Sequence, residues 1–473
     1  MISKRWMSLI SLGLLISLFA VACATATPEP APEPTDAPAV QPTDEPVEEE
    51  PTEEPMPESM LEGDPTGQSI TFWHAMSSGN NLAGVEQIVA DFNATNEFGI
   101  TVEQVSQGGQ GDLQTAMNAA IATGELPNMT QGFPNSLVLW NGLDVIAPIN
   151  DFIDDAVYGL SADELGAIFA GTYSPGTLPD GSQVGVPMHQ SASVHFYNFT
   201  WAEELGFDSP PATSAEWKEQ MCAAAAANDA DDDPDNDGTG GYQYFPDASM
   251  VTPWVWVFGG DIVNEDGTGY SLNNQAVIDA ALFLKDLSDS GCIMFTPSFA
   301  NPEFAARQTL AYRSSTAGQP FQQSANDDIG STDVWGAIPW AGPDGDLAVN
   351  PHGQMVGIVE TNPDQDLATW IFLKYLTSAP TQTGWVATTG YYPSQSTTDL
   401  GTKLDDDPIY AGALELIEAY GGRSEPNFAA HGAVRGLIRD AFFAILDAAS
   451  DEEVIGILDQ LNADAAEQVA ETS

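Results

Sequence analysis

The chain has 473 residues, with 69 Asp and Glu against 11 Lys and Arg, for a formal net charge of −58. So few cations cannot neutralise a phosphate backbone, which excludes nucleic acid as a partner. At 43% hydrophobic residues the chain has apolar material enough for two packed lobes.

At the N-terminus, Lys4 and Arg5 precede an apolar run from Leu9 to Val21. Residues 1–22 are expected to be an export signal, too short to span a bilayer. Ala20 and Ala22 before Cys23 resemble the lipobox of bacterial lipoproteins, in which this cysteine becomes the acylated first residue; an ordinary cleaved signal with an incidental cysteine is the alternative. From 23 to 66 the composition is almost wholly Pro, Glu, Ala, Thr and Asp, which cannot bury a core and predicts a solvated tether. Membrane attachment through the lipid, a location outside the cytoplasm and a monomeric body follow as expectations.

The body opens with a strand over Ser69–Trp73, a helix that places Leu82, Val85, Val89 and Phe92 on one face until Asn93 and Asn96, and a strand over Gly99–Val105. A helix over Asp112–Thr123, a strand over Leu126–Thr130 and helices after Asn135 continue the alternation, which predicts α/β lobes with mostly parallel sheets. A break falls at 184–198, before a helix over Trp201–Leu205. Further on come a helix and strand in NPEFAARQTLAYRSSTAG, an extended stretch over Gly353–Val359 and two amphipathic helices. Ala368, Ile371, Phe372, Tyr375 and Leu376 share a face in one of these, and Val434, Leu437, Ile438, Ala441, Phe442 and Ile445 in the other.

With Cys23 assigned to a lipid, Cys222 and Cys292 remain, and two leftover cysteines in an oxidising exterior are expected to form a disulfide. Residues 229–241 hold Asp233, Asp235 and Asp237 before Gly238, the alternation a structural calcium uses. Tyr244 stands where an EF-hand has its Glu, so an acidic solvated loop is the other reading.

Five phrases occur together: ITFWHAM (70–76), VPMHQSASVHFYN (186–198), LAYRSSTAG (310–318), NPHGQMVGIVE (350–360) and TTGYYPSQS (388–396). In order and spacing they resemble the extracellular solute-binding proteins of sugar-type ABC importers, near the glycerol-3-phosphate-binding branch. The resemblance implies a periplasmic-binding-protein-like fold of two α/β lobes with the ligand in the cleft between them, closing by hinge bending. It implies permease subunits as partners and a carbohydrate as cargo. The lobes are placed at 67–188 with 305–355 and at 189–304 with 356–473, with crossovers near Pro187–Ser191, Asn301–Leu310 and Gly353–Val359.

The expected ligand-binding residues are Trp73 and His74 after the first strand, and His189, Gln190 and Ser191 at the first crossover. To these the resemblance adds Ser314, Ser315, Gly353, Tyr391 and Asn427. Trp254, in the aromatic stretch DASMVTPWVWVFGGD, is favoured over Trp256 as an aromatic face for a sugar, since period-two spacing keeps both from one side of a strand. Departures from the branch are Gly109 where it has Tyr, Gln131 or Phe133 where it has an acid, and Asn427 where it has Arg. A phosphate without a cation is costly to bury, so a neutral sugar or oligosaccharide is expected before glycerol 3-phosphate or a glycerophosphodiester. Arg423 and Arg435 are near enough for a small gap to restore a cation. No cofactor other than calcium is expected. A polysaccharide-degrading enzyme is the alternative of another class, but no carboxylate pair, nucleophile elbow or phosphate loop marks one.

Overall fold

The computed structural model describes residues 58–472 apart from 246, 297 and 298. The export signal, Cys23 and most of the Pro/Glu stretch lie outside the described residues. The end of that stretch does not behave as a tether. Ser59 Oγ and the Met60 N–H both donate to Asp155 Oδ2 at 2.9 Å, and the Asp64 N–H donates to Asp364 Oδ1 at 2.8 Å. Leu61 packs on the neighbouring core, so an apolar anchor inside the polar stretch ends the tether before residue 66.

Thirteen strands lie among the described residues. β1 (Ser69–His74), β2 (Thr101–Ser106), β3 (Met129–Gly132) and β4 (Val186–Pro187) precede β5 (Ser191–Asn198), β6 (Gly240–Tyr244), β7 (Ile293–Phe295) and β8 (Thr309–Ser315). β9 (Trp335–Ile338), β10 (Trp340–Ala341), β11 (Leu347–Ala348), β12 (Asn350–His352) and β13 (Met355–Ile358) follow. One sheet has the order β2-β1-β3-β13-β4; the other runs β12-β5-β8-β6-β7, with β9 also on β5. The expected α/β class with two sheet-centred lobes is present, but the sheets are mixed. β1 is parallel to β2 and β3, whereas β13 runs against β3 and β4. β6 is parallel to β7 and β8, whereas β5 runs against β8, β9 and β12. The strands next to the crossovers arrive from the other sheet, outside the βα alternation that makes strands parallel.

The chain passes between sheets at 188–190, joining β4 to β5, and at 353–354, joining β12 to β13. The crossover expected at Asn301–Leu310 is absent: the helix Asn301–Ala305 is followed by β8, which stays in the second sheet. Residues 305–355 therefore contribute β8, β9 and β12 to the second lobe, and β13 belongs to the first. The helices Pro363–Thr377 and Ala379–Thr389 also pack on the first sheet, through Leu367, Phe372 and Trp385. The next passage is at 390–392, where Gln190 and Tyr392 exchange backbone hydrogen bonds of 2.9 and 3.0 Å.

β5 shows why the second sheet holds two cores. Ala192, Val194 and Phe196 join one cluster with Tyr312, Tyr392 and Tyr410, while Tyr197 joins the other with Trp217, Trp254 and Trp340. Trp254 sits on a helix, Ala248–Val257, in which all ten residues are buried. A helix apolar all round shows no 3.6-residue period, so its aromatic run looked like a strand. The disulfide Cys222–Cys292 ties the helix Ser214–Ala230 to the start of β7, with Cα atoms 4.7 Å apart.

Candidate functional site

A cavity of about 210 Å³ lies between the lobes. Phe133, Pro134 and Asn135, where β3 turns into the helix Pro134–Asn141, line it from the first lobe with Gly171, Thr172 and Pro175. Ser249, Arg313 on β8, Pro351 and His352 on β12, Gly353 at the crossover, Ser424–Pro426, His431 and Arg435 line it from the second. A further space of about 220 Å³ adjoins it, sharing Phe133, Asn135 and Arg435 and reaching Gln110 and Gln131. β3 meets the cleft at its carboxyl end, the edge where open α/β sheets bind ligands.

Glu425 organises the second-lobe wall. Its Oε1 accepts from Asn350 Nδ2 at 2.8 Å; its Oε2 is 2.8 Å from His431 Nε2 and accepts from Arg435. Burial alone would raise this carboxyl, but Arg435 and His431 prevail and hold it well below the usual carboxylate range. The Tyr270 hydroxyl lies 2.7 Å from His431 Nδ1, and Arg435 donates to Ser249 Oγ at 3.0 Å. Arg313 pairs with Asp247 at 3.2 Å and donates to Ser193 Oγ at 3.1 Å. Burial, with the nearby Arg313 charge, pushes His352 down to about 4, so its ring is neutral at pH 7.

Of the residues singled out from the sequence, Gly353 lines the cavity. A Cβ there would fall 2.3 Å from the His189 carbonyl oxygen, so the two crossovers touch backbone to backbone. Asn427 donates across the cleft to the Pro175 carbonyl at 2.7 Å, linking the second-lobe loop to the first lobe. Arg435, one of the two cations near Asn427, lines the cavity; Arg423 instead pairs with Asp261 at 2.5 Å and lies over the Trp256 ring. The cleft therefore has cations where the departures from the glycerol-3-phosphate-binding branch suggested neutrality.

The crossover residues His189, Gln190 and Ser191 are buried behind the cavity. The His189 ring packs 4.0 Å from Tyr391, and burial with the neighbouring His352 pushes it down to about 3. Ser191 Oγ lies 3.2 Å from Thr316 Oγ1. Ser314 and Ser315 end β8 nearby, and neither they nor Tyr391 line the cavity. Trp73 packs partly buried in the first-lobe core. His74 is fully buried, its Nδ1 accepting the Met76 N–H at 3.2 Å, which leaves Nε2–H for Gln104 Oε1 at 2.5 Å. Both of its nitrogens serve the first lobe. Trp254 is likewise a correction: it has no exposure and packs against Trp217 and Phe283.

The acidic loop is held by its own backbone. Asp233 Oδ1 accepts the Asp235 N–H at 3.1 Å, and Asp229 accepts the Gly238 N–H at 2.8 Å. Asp233, Asp235 and Asp237 form no cluster of three ligands, and no His, Cys, Asp and Glu group among the described residues does so.

The cavity residues that sequence reasoning missed are Arg313, His352, Glu425, Ser249 and His431. The available signal was scarcity: Arg313 lies inside LAYRSSTAG in a chain with 11 basic residues.

A two-lobed α/β body with an interlobe cavity lined by apolar surface and a few charged side chains is the architecture of a solute binder. The model for the bacterial extracellular solute-binding protein family matches residues 87–412, and the chain belongs to that family. It therefore works outside the cytoplasm. A binding protein of Brucella abortus is 28% identical over 145 residues, 30% of this chain. The match spans about a third of that relative's length, 34%. Among solved structures, the cyclic α-maltosyl-1,6-maltose binding protein of Arthrobacter globiformis has a TM-score of 0.71 at 20% identity, covering 85% of this chain and 98% of that one. The sugar-binding protein MalE of Xanthomonas citri has a TM-score of 0.71 at 19% identity, with the same 85% and 98% coverage. UgpB of Mycobacterium tuberculosis, solved with glycerophosphocholine, has a TM-score of 0.69 at 17% identity, again covering 85% and 98%. At these identities the likeness concerns the fold.

Proposed function

We propose that this chain is the substrate-binding subunit of an ABC importer, which captures a sugar or oligosaccharide and hands it unchanged to membrane permease subunits. The observation that carries the reading is the interlobe cavity, whose lining comes from both lobes beside the crossovers. A solute touching both walls favours the closed arrangement, and the closed surface is what a permease can distinguish from the empty protein. Acylation at Cys23 holds the protein at the membrane. Because Arg435 and Arg313 line the cavity, a glycerophosphodiester or glycerol 3-phosphate is the second reading.

A thermal-shift panel of the purified protein against mono- and oligosaccharides, polyols, glycerol 3-phosphate and glycerophosphocholine tests this. A ligand at 100 times its Kd stabilises by about 2.7 kcal/mol. Shifts with saccharides support the first reading, shifts confined to phosphate compounds support the second, and silence across the panel counts against both.

A further inference from the structure

Arg313 and Arg435 are two of only 11 basic residues in the chain, and they line the same cavity. They differ in what they leave open. Arg435 donates to Glu425 and to Ser249 Oγ. Arg313 directs one terminal nitrogen at Asp247 and the other at Ser193 Oγ, which leaves its Nε buried without a partner. His352, on the neighbouring part of the wall, has its Nε2 buried without a partner. Glu425, the carboxylate among the lining residues, has both oxygens engaged by Asn350, His431 and Arg435.

Among the residues of the second-lobe wall, Arg313 Nε and His352 Nε2 are thus buried without partners, while its carboxylate is occupied. A buried N–H without an acceptor destabilises the empty protein, and a ligand oxygen placed there removes that penalty. The Arg313 nitrogen is always a donor; His352 Nε2 donates in the tautomer that carries its proton there. Two donors match the two oxygens of a carboxylate, and the Arg313 charge strengthens the bond it makes. The opposite wall, with Phe133, Pro134 and Asn135, offers an apolar face and one amide to the rest of the solute.

We propose that Arg313 and His352 form an oxyanion subsite, so that the captured solute is an acidic sugar whose carboxylate accepts from Arg313 Nε and His352 Nε2. This rests on the reading of the interlobe cavity as the solute site. Arg313 and His352 are then specificity-determining residues. A neutral sugar has a hydroxymethyl group where a uronate has its carboxylate, and would leave one of the two donors unmatched.

The test is calorimetric titration of the purified protein with the matched pairs glucose and glucuronate, galactose and galacturonate, together with glucose 6-phosphate and maltotriose. The expected result is a uronate binding at least about tenfold tighter than its neutral twin, roughly the effect of one charge-assisted hydrogen bond. Arg313→Lys, which keeps a charge opposite Asp247 but lacks the Nε donor, and His352→Phe should each lower uronate affinity by about tenfold. Circular dichroism melting of both variants separates this loss from misfolding. Neutral twins that bind as tightly as the uronates overturn the proposal, as do variants that keep the preference. Preference for glucose 6-phosphate supports the oxyanion subsite and overturns the carboxylate assignment. Binding of maltotriose alone overturns the subsite and leaves the solute-capture reading standing, whereas no binding by any of the six overturns both.

Discussion

Replacing Glu425 by Gln removes the negative charge that joins Asn350, His431 and Arg435 in the cleft wall. The Glu425 side chain is only 12% exposed, so water cannot substitute fully, while Arg435 at 35% exposure retains some access to solvent. Hydrogen bonds to charged groups contribute about 1.5–3 kcal/mol each, and the amide keeps one acceptor while turning its NH₂ toward another donor. A loss of about 2–4 kcal/mol is expected, measured by urea denaturation with tryptophan fluorescence. The carboxyl's folded pKa lies below its unfolded value, so the stabilisation is complete at pH 7 and is lost as pH falls below the unfolded value. The difference between wild type and Glu425→Gln should therefore shrink below about pH 4. Because much of the penalty is a guanidinium left without its counter-ion, Glu425→Gln with Arg435→Gln should be more stable than the sum of the single changes, by about 1–2 kcal/mol. A single variant within about 0.5 kcal/mol of wild type, or strictly additive changes, would refute the idea that Glu425 is the hub of this wall.

Reducing the Cys222–Cys292 bond, which spans 70 residues, should destabilise the second lobe by about 4 kcal/mol through loop-closure entropy; unchanged urea curves with and without reductant would count against it. Asp155 receives the backbone N–H groups of Tyr158, Val157 and Met60 and the Ser59 hydroxyl, which outweigh burial and hold it down to about 2. Its contribution is therefore present above the ordinary Asp value and lost as pH falls toward 2. Asp155→Asn should release residues 58–66, seen as faster amide exchange at Met60 at pH 7; full protection in the variant would show that Leu61 packing alone is sufficient. Gly353→Ala pushes a methyl group against the His189 carbonyl and should cost about 1–3 kcal/mol in thermal denaturation, with ligand affinity falling as well. A variant that melts and binds like wild type would mean that the two crossovers separate freely.

The opening of the first lobe was legible because its periods are clean. The helix Gly79–Thr95 buries Val85, Val89 and Phe92 as the 3.6-residue spacing predicts, and β1 alternates in burial along its length. The passage after Ala305 was not legible, since nothing local in NPEFAARQTLAYRSS says which sheet β8 will join; that depends on long-range pairing with β5 and β6. Trp254 was misplaced because an apolar run buried on every side has no period to detect. The cleft suffered most. Its wall takes Ser249, Arg313, His352, Glu425 and Arg435 from five separated segments, and the spacing between them carries no motif. Gly353 was reachable through the family phrase NPHGQMVGIVE. His74, from the equally familiar ITFWHAM, is consumed by Gln104 and Met76 inside one lobe.

The most direct test is to identify what the cleft retains. Purified protein is incubated with a mixed polysaccharide hydrolysate, separated by size exclusion, and its bound solutes are released and identified by mass spectrometry. The account predicts a small polyhydroxylated solute that co-elutes with wild type and is lost from Gly353→Val, whose larger side chain forces the crossovers apart beside the cavity. Retention of no solute, or equal retention by the variant, would contradict the assignment of the interlobe cavity as the capture site.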